Sequence, residues 1–372
     1  APKPNLTIKK ADIKGELNFV NLPDSINDVT LMVMKESENL RNTYVLNRGS
    51  YDSPTIKVNP GTPQVILPFD YKNNPANRIG LSKWFFNDNN PLTSRVAVNR
   101  IWQQFFGIGI VSTPDDFGSQ GSKPINPELL DWLAYTYQKE DKWDTKKFIK
   151  RIVMSSTYRQ SSKIKKESLL IDSDNMYLSH YPRQKLSAEM IRDNVLASSG
   201  MLVNKIGGPS VKPMQPPGLW DEVTGGGGGS LAFYTPDTGE NLFRRSLYTF
   251  WKRTVPPPSM MIFDAPTRDF CVAVRQKTST PLQALALMND PQYLMAAEYL
   301  SKKIYEIKNM SKDDKIIKLY RTVTGRTPNE LEISKLDSYL NEVKKINEYS
   351  DEKAFTSLAI LIYNLDETTQ KS

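Results

Sequence analysis

Beyond about residue 90, apolar positions recur with the three-to-four-residue step of a helix, whereas before residue 75 they do not. The stretch 90–105 shows the step well, with Arg95, Asn99 and Gln103 on one face and Val98, Ile101, Trp102 and Phe105 on the other. Asn90 suits the cap of this helix and Pro91 its first turn, and Gly107 and Gly109 stop it. The same pattern predicts helices over 76–86, 127–137 and 145–154, and over 186–198, where Gly200 ends the run. Thr280-Pro281 opens another helix, and helical patterns follow near 290–308, 312–322, 328–346 and 354–365. The expected fold is therefore mainly α, a compact helical domain over 76–372 with an extended, β-containing N-terminal arm over 1–75.

Within the arm, short alternations occur at Leu6-Thr7-Ile8 and Leu17-Asn18-Phe19-Val20, and residues 29–34 read as a strand after the turn-like Asn27-Asp28. Residues 44–68 are rich in Asn, Gly, Pro and Ser and read as an ordered, irregular connection. A Gly- and Pro-rich excursion interrupts the helical pattern over 207–239. Its run Gly225 to Gly229 lacks the Lys-Ser/Thr of a phosphate loop and reads as a surface loop or lid.

Composition narrows the function classes. A chain of 372 residues, 39% hydrophobic and 24% charged, has the length for two core-bearing lobes, and no apolar run is long enough for a membrane helix. The net charge of +8 points to acidic partners, although Lys302, Lys303, Lys308, Lys312 and Lys315 are spread as on a solvated face. No nucleic-acid-binding signature accompanies that charge, so nucleic acid is not an expected partner. The one cysteine, Cys271, excludes an internal disulfide framework and is expected to be buried and inert. The one histidine, His180, excludes a multi-histidine metal site and reads as a packed residue beside tyrosines. Without Cys-x-x-Cys-His the chain cannot attach a c-type haem itself. A start at Ala1 fits a mature or cleaved product.

Candidate chemistry is concentrated in two places. Glu189, Arg192 and Asp193 stand at helical spacing, so the two carboxylates share a face at i and i+4. They read either as a weak catalytic or cation-holding pair or as an arginine-bridged surface pair. The second place is 244–275, where Arg244, Arg245, Tyr248, Trp251, Lys252, Arg253, Arg268 and Arg275 surround Pro256-Pro257-Pro258. Planar guanidinium groups favour bidentate contact with sulfate, carboxylate or phosphate, and Tyr248 and Trp251 offer faces to sugar rings. The competing reading is an internal network with Asp237, Glu240, Asp264 and Asp269. Thr280-Pro281 offers free amides to an anion or, more simply, a cap.

The motifs Asn90-Pro91-Leu92-Thr93-Ser94-Arg95-Val96-Ala97-Val98-Asn99-Arg100-Ile101-Trp102-Gln103, Thr113-Pro114-Asp115-Asp116-Phe117-Gly118 and Ser156-Thr157-Tyr158-Arg159-Gln160-Ser161-Ser162 occur in order. Ala188-Glu189-Met190-Ile191-Arg192-Asp193, the arginine run from 244 and Thr280-Pro281-Leu282-Gln283-Ala284-Leu285 follow them. Together they resemble the C-terminal domain of unknown function of planctomycete-type cytochrome c proteins over about residues 30–365. Gln104 stands where relatives often carry a histidine. The resemblance implies an exported, periplasmic or cell-surface protein without a cofactor of its own, whose haem sits on an upstream or separate cytochrome-type partner. It also implies a link to sulfated-polysaccharide use, and it transfers no catalytic residue. The expected function is a non-haem domain that binds or acts on an anionic polysaccharide. The alternatives are a structural module that docks partner domains and a metal-assisted enzyme using Glu189 and Asp193. Whether the chain is an enzyme stays open.

Overall fold

Helix ends in this protein are set largely by short polar side chains, and the computed structural model, which describes Met34, Glu36, 41–220 and 233–371, places fourteen α-helices among those residues. The chain divides into two compact units, Ala1–Thr93 and Ser94–Ser372. The strand expected at 29–34 lies outside the described residues apart from Met34, which is exposed and without regular structure. The alternations at 6–8 and 17–20 and the glycine run 225–229 also lie outside them.

In the first unit, the connection expected to be irregular contains a hairpin. Strands β1 (Thr43–Leu46) and β2 (Pro54–Val58) pair antiparallel, Thr43 opposite Val58 and Tyr44 opposite Lys57, with an irregularity before Leu46 meets Pro54. Its turn uses left-handed backbone at Arg48 and Gly49, φ 49° and 80°, the second of which glycine adopts without steric cost. Helix α1 (Arg78–Phe85) starts where the Asn77 side chain accepts the amides of Ile79 and Gly80, and buried Trp84 donates its indole N–H to Leu67 O at 2.7 Å. Glycine is required at 80 because a Cβ there would fall 2.0 Å from Pro75 O.

The second unit holds two hydrophobic cores. The smaller joins α2 (Thr93–Phe106), α3 (Pro127–Tyr135) and α4 (Thr145–Met154) around Val98, Trp102, Leu130, Phe148 and Ile152. One expectation fails here, since Asn99 and Gln103, assigned to a polar face of α2, are buried. Asn99 earns its place by accepting Val111 N–H at 2.8 Å and donating to Val111 O at 3.0 Å, so it terminates a loop as a backbone group would. Short helices α5 (Ser156–Arg159) and α6 (Lys166–Ile171) follow, and then strand β3 (Gln184–Lys185).

The larger core gathers α7 (Ala188–Ser199), α8 (Pro258–Ile262), α9 (Pro281–Asn289), α10 (Pro291–Tyr305), α11 (Lys312–Thr324), α12 (Glu330–Asn347) and α13 (Asp351–Tyr363). Helix α10 is its axis, packing most extensively on α13, where fully buried Ala296, Ala297, Ala354 and Ala359 allow close approach. The chain then turns through α14 (Asp366–Thr369) into β4 (Gln370–Lys371), which pairs antiparallel with β3. The mainly α architecture stands as expected, with strands confined to two small two-stranded sheets among the described residues.

Candidate functional site

Helix α7 organises the polar centre of the second unit. Ser187 caps it by accepting Met190 N–H, and Gly200, with φ 86°, closes it in the left-handed conformation that suits glycine. Arg192 points inward and is almost fully buried. Its Nε donates to Gln292 Oε1 at 2.9 Å, Nη1 donates to Arg244 O at 2.9 Å and Ser246 Oγ at 3.2 Å, and Nη2 donates to Leu242 O at 2.7 Å. Burial pushes its pKa down, opposed by Tyr293, Asp193 and Asp290. One guanidinium thus fastens α7 to α10 and to the 242–246 segment.

The two carboxylates read as a pair go to different partners. Asp193 Oδ1 accepts Ser246 N–H at 2.8 Å and Ser246 O–H at 2.7 Å, and stands 3.9 Å from Arg192 Nη1. Glu189 Oε2 accepts from Arg275 Nη1 at 2.8 Å. Burial pushes the Glu189 carboxyl up, but the Arg275 hydrogen bond and charge outweigh it and leave the pKa below the usual carboxylate value. Among the described residues no group of three His, Cys, Asp or Glu side chains comes together.

The arginine segment divides into an inner and an outer set. Arg244 is buried, with Nη1 donating to Pro209 O at 3.1 Å and Nη2 to Lys205 O at 3.0 Å and Gly207 O at 2.5 Å. Its guanidinium lies 4.0 Å from the Tyr248 ring centroid, and Tyr248 Oη accepts Gly207 N–H at 2.8 Å. Arg244 and Tyr248, expected to face a ligand, therefore hold the 205–209 turn instead. The internal partners also differ from the expected acids: backbone carbonyls serve Arg244, while Asp237 accepts Lys212 N–H at 3.0 Å and Asp264 accepts Thr278 N–H at 2.7 Å.

Arg245, Arg253 and Arg268 form the outer set, all exposed. Arg245 and Arg253 make no ion pair with a carboxylate among the described residues, and Arg275 is taken by Glu189. Trp251 packs against the larger core, donates its indole N–H to Thr267 O at 3.2 Å and is covered by the Arg268 guanidinium at 4.4 Å. The ring expected to stack on a sugar thus turns a planar cation outward in its place. Arg268 holds left-handed backbone, φ 67°, an uncommon state for a non-glycine residue.

A further polar junction joins Lys185 of β3 to Asp264 and to the start of α9. Lys185 Nζ donates to Thr278 O and to Gln283 Oε1, the Thr278 hydroxyl donates to Asp264 at 2.8 Å, and Gln283 Nε2 donates to Ile262 O at 2.9 Å. Burial lowers the Lys185 pKa, opposed by Asp264 and Asp366. Thr280 N–H meets Gln283 Oε1 at 3.4 Å, so the start of α9 is capped from within its own first turn. Asp264 lies in the dense 244–275 segment, whereas Lys185 is far from it in sequence and outside any motif, so only the fold brings the two together. Cys271, expected to be buried, is exposed. His180 is half-buried, its Nδ1 3.2 Å from Ser179 Oγ.

A narrow crevice with a cavity volume of only about 10 Å³ lies between Arg192, Met214, Tyr234, Thr249, Met260 and Gln292. The Arg192 donors on its wall are directed to protein acceptors, so the cleft adds no second anion site. The family PSD1, a protein of unknown function (DUF1553), matches over residues 77–340. No curated protein and no solved structure matches the chain.

Proposed function

The chain belongs to the PSD1 family of unknown function (DUF1553), and on that premise we propose that it is the non-haem, anion-binding module of an exported, cytochrome-linked assembly. In this reading Arg245, Arg253 and Arg268 hold the sulfate or carboxylate groups of a polysaccharide. Haem is carried by an upstream or separate partner. The observation that carries the reading is the division of the arginines. Arg192 and Arg244 fix the 242–248 segment, while Arg245 within it, Arg253 after it and Arg268 over the Trp251 ring are exposed. Rigid support of this kind lowers the ordering cost of a charged contact. Binding is favoured over catalysis because Glu189 and Asp193 already have separate partners.

The test is titration of a sulfated polysaccharide and its desulfated form against wild type and Arg245→Ala, Arg253→Ala and Arg268→Ala variants. Charge-assisted hydrogen bonds contribute roughly 1.5–3 kcal/mol, so each substitution weakens binding about tenfold or more while the melting temperature holds. Equal affinity for both polysaccharides, or no effect of the triple substitution, refutes the proposal.

A docking module is the second reading. It is favoured by exposed Phe270, Leu282, Leu285 and Met288, the last three at helical spacing on α9. Co-purification of cytochrome-type chains that Leu285→Glu disrupts would support it, and retention of those chains by the variant would count against it.

A further inference from the structure

Lys371 lies in β4, a two-residue strand held to β3 by the pairs Gln184–Lys371 and Lys185–Gln370. Its ammonium is surrounded by aromatic rings of the smaller core, 5.7 Å from the Phe105 centroid, 4.7 Å from Tyr158 and 5.3 Å from Tyr181. Nζ donates to Tyr158 Oη at 2.9 Å. Among the described residues no carboxylate pairs with it, so π faces and phenol oxygens supply its stabilisation.

The rings of this cage also hold one another. Phe105 and Tyr158 meet edge to face at 5.8 Å, and Tyr158 and Tyr181 do so at 5.3 Å. Tyr181 Oη donates to Phe105 O at 2.8 Å, and Gln184 Nε2 donates to the same carbonyl at 2.6 Å. The Tyr181 fastening is made without Lys371, whereas Gln184 is its pair partner in β3. A pre-formed ring of π faces without a carboxylate selects for cations whose charge is spread over an alkylated nitrogen, because a small hydrated ion loses more on leaving water than the rings return.

We propose that the Phe105–Tyr158–Tyr181 cage is a binding site for alkylammonium cations, held closed by Lys371 of β4 acting as an intramolecular occupant. Two residues of strand pairing, one further backbone bond from Leu186 N–H to Thr369 O at 2.9 Å and the Tyr158 contact are the ties that a competing ligand has to break. A ligand with a methylated or alkylated ammonium group competes with Lys371 for the cage.

The probe is choline, with 3,3-dimethylbutanol as its uncharged isostere, titrated against wild type and Lys371→Ala and followed by NMR of the labelled tyrosine rings. Choline is expected to saturate Lys371→Ala at least about tenfold more tightly than the isostere, and about tenfold more tightly than it binds wild type. Addition of Tyr158→Ala should abolish that binding. No saturation in a folded Lys371→Ala protein, equal affinity for the two probes, equal affinity of wild type and variant, or indifference to Tyr158→Ala would each overturn the proposal. A second measurement stands if the variant does not fold. In wild type the ε-methylene protons of Lys371 should be shifted upfield by ring currents, and Tyr158→Leu should relieve that shift. An unshifted resonance overturns the arrangement.

Discussion

Replacing Arg192 by methionine keeps the unbranched apolar stem and removes the guanidinium. Four hydrogen bonds of 2.7–3.2 Å disappear, and the carbonyls of Leu242 and Arg244 lose a buried donor. Each carbonyl stranded in this way costs roughly 1–3 kcal/mol. Relief of the buried charge offsets part of the loss, since a lone cation in such a place is itself expensive. The balance is a loss of about 3–5 kcal/mol, in the range found when one member of a buried polar cluster is removed. Urea unfolding followed by circular dichroism would measure it, with the slope in denaturant unchanged so that the midpoint reports stability. Arg192→Lys should recover only part, because an ammonium cannot serve the acceptors of α10 and of 242–246 together as a planar fork does. A loss below about 1 kcal/mol for Arg192→Met would refute the argument that this guanidinium fastens α7 to 242–246. Ser246→Ala combined with Arg192→Met should be non-additive by at least about 0.5 kcal/mol, because the hydroxyl links Arg192 to Asp193.

Asn99→Ala should cost about 2–4 kcal/mol in the same assay, since it strands both Val111 N–H and Val111 O. A cost near zero would show that water replaces the amide there. Arg326 grips Glu332 at 2.6 Å and Glu367 at 2.6 Å, and its hydrogen bonds hold the Glu332 carboxyl at about 2 against an ordinary 4.5. A carboxyl lowered by folding adds stability that is full above pH 4.5 and lost as the pH falls towards 2. Arg326→Met should therefore flatten the stability profile across that window, and an unchanged profile would contradict the assignment. Calorimetric titration with magnesium or calcium should show no binding that depends on Glu189 and Asp193. A signal abolished by Glu189→Gln would restore the cation-pair reading of α7.

The sequence displayed helices more readily than partnerships. Helix α4 starts and stops where its pattern indicates because Asp144 caps it and Phe148 and Ile152 mark its buried stripe. Helix α7 is similarly framed by Ser187 and Gly200. The hairpin at 43–58 was hidden because every residue of both strands is exposed, so no apolar-polar alternation marks them. The buried face of α2 is not legible in the sequence because Asn99 and Gln103 are polar, and Asn99 is justified there only by its partner Val111, twelve residues away. The arginine segment was visible as a dense cluster, but its division was not. Arg244 and Arg245 are neighbours of identical chemistry, and strand-like alternation sends one to the 205–209 carbonyls and the other to solvent. Lys185 and Lys371 reach their partners across long sequence separations, beyond anything local periodicity reports.

The most direct test of the central claim is arginine footprinting with phenylglyoxal and mass spectrometry, with and without a sulfated oligosaccharide. Arg245, Arg253 and Arg268 should react in the free protein and be protected by the ligand, while Arg192 and Arg244 stay unreactive in both states because they are buried. Unchanged labelling of the three outer arginines at saturating ligand would contradict the account.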